Sequence, residues 1–135
     1  MSEQENLQLV QQVYAAFGRG DIPAVLNALS DNVEWREPGP PDVLPWAGTR
    51  RGREQVAQFF AVIAETIEFK QFEPQEFIAQ GDKVVVLVHQ QVRVKSTGRA
   101  FEQDTAQVFT LREGKVTKFH IYEDTAAIVA AFRGA

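Results

Sequence analysis

Cysteine is absent from this 135-residue chain, which excludes disulfides, thiolate nucleophiles and thiolate-bound zinc. Histidine occurs twice, as His89 and His120. Two imidazoles without a facing carboxylate motif fall short of a three-ligand metal site, so no metal is expected. A nucleophile-elbow serine is missing too, since Ser96 sits in the turn Ser96-Thr97-Gly98. Long apolar runs are lacking, and the opening MSEQENLQ is polar and acidic where a signal peptide needs a basic and then an apolar stretch. The expectation is a soluble, unexported, cytoplasmic protein with no membrane partner.

Basic charge is in short supply as well. Fourteen Lys and Arg against 18 Asp and Glu leave a net charge of −4, which argues against a surface that tracks phosphates, so no nucleic-acid partner is expected. The one basic cluster, Arg50, Arg51 and Arg53, reads as a solvated loop and helix start. Gly18-Arg19-Gly20 follows a helix where a phosphate loop follows a strand, so it reads as a helix end. No cofactor is expected. Neither an internal repeat nor a low-complexity linker divides the chain, which is read as one domain over residues 1–135.

What the chain does have is apolar periodicity that changes character along its length. Ser2 and Glu5 form a capping-box pattern ahead of Leu7, Val10, Val13, Tyr14 and Phe17, which predicts a first helix from about Glu3 to Phe17. Asp21 caps a second helix carrying Ile22, Val25, Leu26 and Leu29. A strand from Val33 to Glu37 and a Pro/Gly loop precede a third helix, from about Arg53 to Glu65, marked by Val56, Phe59, Phe60 and Ile63. Strands then follow over Glu68–Gln80, Val84–Lys95, Ala100–Arg112 and Val116–Glu123, with Pro74 marking a bulge or an edge. Asp124 caps a closing helix with Ile128, Val129 and Phe132 on its buried side.

This order predicts an α+β domain in which a curved sheet wraps around helices. In Val84–Val88 both parities are apolar, and Ala106 and Val108 back Phe109 and Leu111. The face away from the helices therefore needs a cover, and a second copy in a two-fold homodimer through the outer sheet face is expected.

The stretch Asp31–Gly52, DNVEWREPGPPDVLPWAGTRRG, carries the candidate chemistry. Val33, Trp35 and Glu37 share one strand face, which sets a carboxylate on an apolar side. Such a group must be hydrogen-bonded, paired, or made to hold its proton, and each is a route to acid–base chemistry. The plainer reading has Glu37 at a strand end, turned to solvent or paired with Arg36, Arg50 or Arg51. Trp35 and Trp46 are expected as cavity walls, with an indole N–H available to a ligand oxygen. Glu123 shares parity with Phe119 and Ile121 and is either a second inward acid or a strand end meeting water. The parities of His89 and His120 assign them to the outer face.

The segments YAAFGRGDIPAVLNALSDNVEW, PWAGTRRGREQVAQFF and VFTLREGKVTKFHIYEDTAAIVAAF resemble, in order and spacing, the nuclear transport factor 2-like superfamily, which includes ketosteroid isomerases, SnoaL-like polyketide cyclases and limonene epoxide hydrolases. The resemblance implies a cone-shaped fold, with a curved mixed or antiparallel sheet around N-terminal helices. Aligning VEWREP with the isomerases' aspartate-proline motif implies that Glu37 is the base. Counting back from Gly114-Lys115 implies that Gln107 stands where those enzymes keep an oxyanion donor. Their tyrosine donor falls on Val13, with Tyr14 one place away, and the epoxide hydrolases' acid falls on Ile121, which speaks against epoxide opening.

The expected function is a cofactor-independent isomerase or cyclase acting on a small apolar or carbonyl-containing molecule. Glu37, Gln107 and Tyr14 are its candidate catalytic residues, and Phe17, Trp35, Trp46, Phe59, Phe60, Ile63, Val88, Phe109 and Ile121 its candidate walls. The alternative from another class is a ligand-binding or dimeric scaffold protein without chemistry.

Overall fold

Ser2 starts the fold as a reciprocal cap: its hydroxyl accepts from the Glu5 backbone N–H at 3.1 Å, and the Glu5 carboxylate accepts from the Ser2 N–H at 3.0 Å. The computed structural model describes residues 2–134. From this cap runs α1 (Glu3–Gly18), followed by the short α2 (Ile22–Asn27), whose Asp21 cap accepts from the Ala24 N–H as expected. Then come β1 (Leu29–Glu37), β2 (Gly48–Arg51), α3 (Arg53–Thr66), β3 (Ile67–Gln80), β4 (Lys83–Val94), β5 (Ala100–Arg112), β6 (Lys115–Tyr122) and α4 (Thr125–Arg133).

The strands form one sheet in the order β2-β1-β6-β5-β4-β3. It is curved, unclosed and mixed, because β1 pairs parallel with β6 while the other pairs are antiparallel. Pro74 sits where both of its readings meet: β3 is an edge strand, and the register slips between Pro74 and Glu76. That is where a residue without an N–H belongs. Further slips at Phe69/Gln71, Thr110/Leu111 and Leu29/Glu34 bend the sheet around the helices.

Beyond shifts of a residue at element ends, two differences from the sequence reading stand out. β1 starts at Leu29 and not Val33, taking in the polar Ser30, Asp31 and Asn32 across its irregularity, so Leu29, expected on the second helix, is a strand residue beyond the end of α2 at Asn27. β2 was read as loop, because Gly48-Thr49-Arg50-Arg51 has no apolar alternation. It exists as the outer partner of β1, with Glu37 opposite Gly48 and Trp35 opposite Arg50. Arg51 lies 2.9 Å from Glu34, and Arg53 reaches both Asp31 at 3.2 Å and the Leu29 carbonyl at 2.8 Å. The basic cluster thus ties β1 to β2 and α3.

The core lies between the concave sheet face and the helices, with Val84, Val86, Val88 and Val92 of β4 and Phe109 and Leu111 of β5 buried there. On the convex face, cross-strand rows join Ile78, Val85, Val108 and His120, and Leu87, Ala106 and Tyr122. Tyr122 and Ile78 are exposed. His89 and His120 lie on this convex face, as their parity required, and both nitrogens of His89 meet carboxylates: Nδ1 to Asp104 at 2.8 Å and Nε2 to Glu102 at 2.7 Å. These contacts hold the imidazolium, so His89 titrates above its usual value, whereas burial lowers His120.

Between β1 and β2 the chain folds over Leu44, which is fully buried. Gly39 permits this with φ +117°, and a Cβ placed there would lie 2.5 Å from Leu44 Cδ1. Gly39→Ala is therefore expected to destabilise the fold by about 1–3 kcal/mol in urea denaturation, through backbone strain and displacement of Leu44.

Candidate functional site

Trp35 and Glu37 point inward from β1 because they share its buried parity, and Glu37 remains only 7% exposed. The Trp35 indole stacks on Phe119 of β6 at 4.0 Å between ring centroids, which fixes its N–H to donate to Glu37 Oε2 at 2.9 Å. The indole N–H expected for a ligand is thus already engaged with the carboxyl. Neither Arg36, Arg50 nor Arg51 pairs with Glu37, and the plainer solvent-facing reading does not hold.

Glu37 faces a cavity of about 100 Å³ bounded by the sheet, α1, α3, α4 and the loop before β2. Its walls include Phe17, Trp35, Trp46, Phe59, Phe60, Ile63, Phe109 and Ile121, all expected there, together with Phe69, Phe72, Phe101 and Phe119. Eight of the ten phenylalanines and both tryptophans therefore surround one hollow. Val88, expected on the wall, is instead buried without lining the cavity, and its carbonyl accepts from Thr105 Oγ1 at 3.2 Å.

Gln107 does line it, buried on β5. Its carbonyl oxygen accepts from Tyr14 Oη at 2.5 Å, and its amide donates to Thr105 Oγ1 at 3.1 Å. Since a carboxamide has two N–H groups, one remains for a ligand. Tyr14 is corrected from a direct participant to a support. It is not a wall residue; it packs edge-on against Phe77 and Phe109 and orients Gln107 from behind.

The structure adds residues that the sequence reading did not choose. Gln90 and Gln103 line the cavity, with Gln103 Nε2 donating to Gln90 Oε1 at 3.1 Å and to Glu123 Oε1 at 3.3 Å. Gln103 Oε1 accepts from the Asp124 N–H at 3.0 Å, which binds the cap of α4 to the site. Glu123 itself faces inward, and its Oε2 is buried without a hydrogen-bond partner among the described residues. The signal was present: Gln90 shares parity with Val88 and Val92, and Gln103 with Gln107 and Phe109. Arg50 was misread as solvated. It is half-buried, donates to the Trp46 carbonyl, and stands 5.6 Å from the centroid of Phe59.

Both carboxyls hold their protons more firmly than an ordinary glutamate. For Glu37 the chief cause is burial, reinforced by Glu123 and opposed by the Trp35 N–H and Arg50, and the result is a pKa well above the usual range. Burial raises Glu123 to about 7 against a smaller effect of Gln103. Among the described residues no cluster of His, Asp or Glu has the arrangement to hold a metal ion. No described helix is long and apolar enough to cross a membrane.

A carboxyl couple and three carboxamides inside an aromatic cavity, under a bent mixed sheet, coincide with a family match: the SnoaL-like domain covers residues 10–119. The chain belongs to the SnoaL-like family. Its fold matches a nuclear transport factor 2-like protein from Burkholderia xenovorans with a TM-score of 0.89 and 42% identity over 98% of each chain. It is also similar to TerC, crystallised with polyporic acid, at 28% identity and a TM-score of 0.85 over 96% of this chain and 98% of that one. An uncharacterised protein of Mycobacterium tuberculosis is 26% identical over 128 residues, which span 94% of this chain and 95% of that relative. The architecture is therefore the nuclear transport factor 2-like fold of this SnoaL-like family.

The raised carboxyls have a consequence for stability. The folded state keeps a proton on Glu123 that the unfolded chain has lost, so stability falls as pH rises from the ordinary 4.5 to about 7. Glu37, whose carboxyl is also raised by burial, acts in the same direction. Glu123→Gln is expected to flatten this decline and to exceed the wild type in stability near pH 8 by about 1–3 kcal/mol, as measured by urea denaturation across that pH range.

Proposed function

We propose that this SnoaL-like protein binds a small carbonyl compound and moves a proton on it without a cofactor, as an isomerase or an aldol-type cyclase. The observation that carries the proposal is a carboxyl withdrawn from water in the same apolar cavity as a donor amide. Ionised Glu37 takes the proton next to the carbonyl and becomes a carboxylic acid. The C–H electron pair forms the enolate double bond, and the carbonyl π pair moves to oxygen. Gln107 donates its free N–H to that oxygen, with Tyr14 holding the amide in place. Isomerisation follows when Glu37 returns the proton to another carbon, and ring closure when the enolate carbon attacks a second carbonyl.

Burial strengthens Glu37 as a base toward carbon acids, whose own acidity is weak. The cavity, about 100 Å³ against the roughly 150 Å³ of an apolar hole that takes up benzene, limits the substrate to one ring at most. The co-crystallisation of the similar TerC with polyporic acid supports an organic ligand. One observation favours the non-catalytic alternative: the Trp35 N–H satisfies part of Glu37 without any ligand.

Incubation with cyclohexanone and 3-cyclohexenone in D2O separates the two readings. Wild type is expected to accelerate α-proton exchange or conversion to the conjugated enone, with a rate that increases with pH. Glu37→Gln should lose at least about 100-fold of that rate while ligand affinity changes little. Rates unaffected by the substitution would refute Glu37 as base, and binding without any exchange would leave a ligand-binding protein.

The convex face supports the expected homodimer as part of this proposal, because the rows Ile78-Val85-Val108 and Leu87-Ala106-Tyr122 form a continuous apolar stripe. Light scattering should give twice the chain mass for wild type, and Leu87→Glu should shift it to the mass of one chain.

A further inference from the structure

The acidic end of the cavity has a polar imbalance that enolate chemistry leaves unexplained. Glu37 and Glu123 both line it, while lysine, arginine and histidine are absent from the lining residues. The neighbouring guanidinium of Arg50 is occupied by the Trp46 carbonyl and lies against Phe59. Gln103 already serves Gln90, Glu123 and the Asp124 N–H. What remains unmet is Glu123 Oε2, buried and without a donor. This end of the cavity therefore suits hydrogen-bond donors, and positive charge if both carboxyls are to be ionised. The rest of the wall suits the same occupant, because the faces of phenylalanine and tryptophan rings attract an organic cation.

We propose that this end of the cavity is an ammonium subsite, and that the occupant is a one-ring organic amine in its protonated form, donating to the Glu123 carboxyl, which lines the cavity with its Oε2 unmet, within reach of the Glu37 carboxyl. A neutral hydroxyl would satisfy one acceptor and leave two acidic groups competing to stay protonated. An ammonium ion supplies several donors and one compensating charge. The inference deepens the proton-transfer reading and rests on it for one consequence: a substrate that carries an amine as well as a carbonyl would help to ionise the base that attacks it. Burial is the chief reason Glu37 keeps its proton, and the cation beside Glu123 offsets the repulsion that adds to it, so that the proton is released to solvent on binding. Recognition of the amine itself does not require turnover.

Isothermal titration calorimetry with benzylamine and its neutral counterpart benzyl alcohol tests this on the full-length protein. Near pH 8 the amine is expected to bind at least about tenfold more tightly than the alcohol. Its apparent enthalpy should differ between Tris and phosphate buffers, as release of a proton requires. The preference should shrink near pH 6 and disappear in Glu123→Gln. Glu37→Gln gives the same comparison if circular dichroism shows that Glu123→Gln does not fold. Equal affinity for the two probes, a preference indifferent to both substitutions, or no binding of either up to about 10 mM would each overturn the subsite. Selectivity for the amine without exchange of the ketones would leave the subsite standing and remove the proton-transfer reading. Exchange without selectivity would do the reverse.

Discussion

The hydrogen bond from the Trp35 indole to the Glu37 carboxyl is the contact on which the site depends. A carboxyl this far from water has two ways to lower its energy: keep its proton, or be met by donors when it ionises. One indole N–H supplies part of the second, and the proton supplies the rest. The group therefore holds its proton more firmly than an ordinary glutamate. Trp35 can do this because Phe119, directly opposite on the parallel strand β6, holds its ring by stacking. The parallel β1–β6 pairing, an exception in an otherwise antiparallel sheet, is thus what sets the acid in its place.

Around that contact the fold maintains a hollow that an ordinary core would have filled. Bulges bend the sheet around the helices. Large rings meet at tilted and edge-on angles across the gap, as Phe17 does with Phe60, Phe69 and Phe72. Rings packed this way brace one another and do not collapse into the space as flexible aliphatic chains would. On the opposite side, Arg50 grips the Trp46 carbonyl and holds the loop over the cavity.

Much of this was legible because periodicity reports which side of an element is apolar. Ser2, Asp21 and Asp124 announced three helix starts, and alternation through Val33, Trp35 and Glu37 gave the inward carboxyl. Pro74 gave both the edge and the bulge. Gly48–Arg51 escaped because an outer strand of four residues need not bury any side chain, so nothing in its pattern separates it from a loop. Gln90 and Gln103 escaped for a different reason. A glutamine among valines reads as an interruption until the partners of its amide are known, and those partners come from other strands and from the cap of α4. Tyr14 shows the limit of single positions: helical spacing gave its approximate direction, but only the packed structure shows its hydroxyl spent on Gln107.

The choice of carboxamides beside the acids bears on how the site functions. A lysine or arginine at position 90, 103 or 107 would pair with Glu37 or Glu123, fix it as a carboxylate and weaken it as a base. Amides hydrogen-bond to either protonation state without committing the proton, because each offers both a donor and an acceptor. Gln103 shows this directly, donating to Glu123 while accepting from the Asp124 N–H. The cavity is in this way held short of positive charge, and both carboxyls keep pKa values above the usual range. Under the proposed function, a ligand that alters the local charge alters the protonation of the pair. Binding and proton movement are then coupled through the wall itself, before any bond in a substrate is broken.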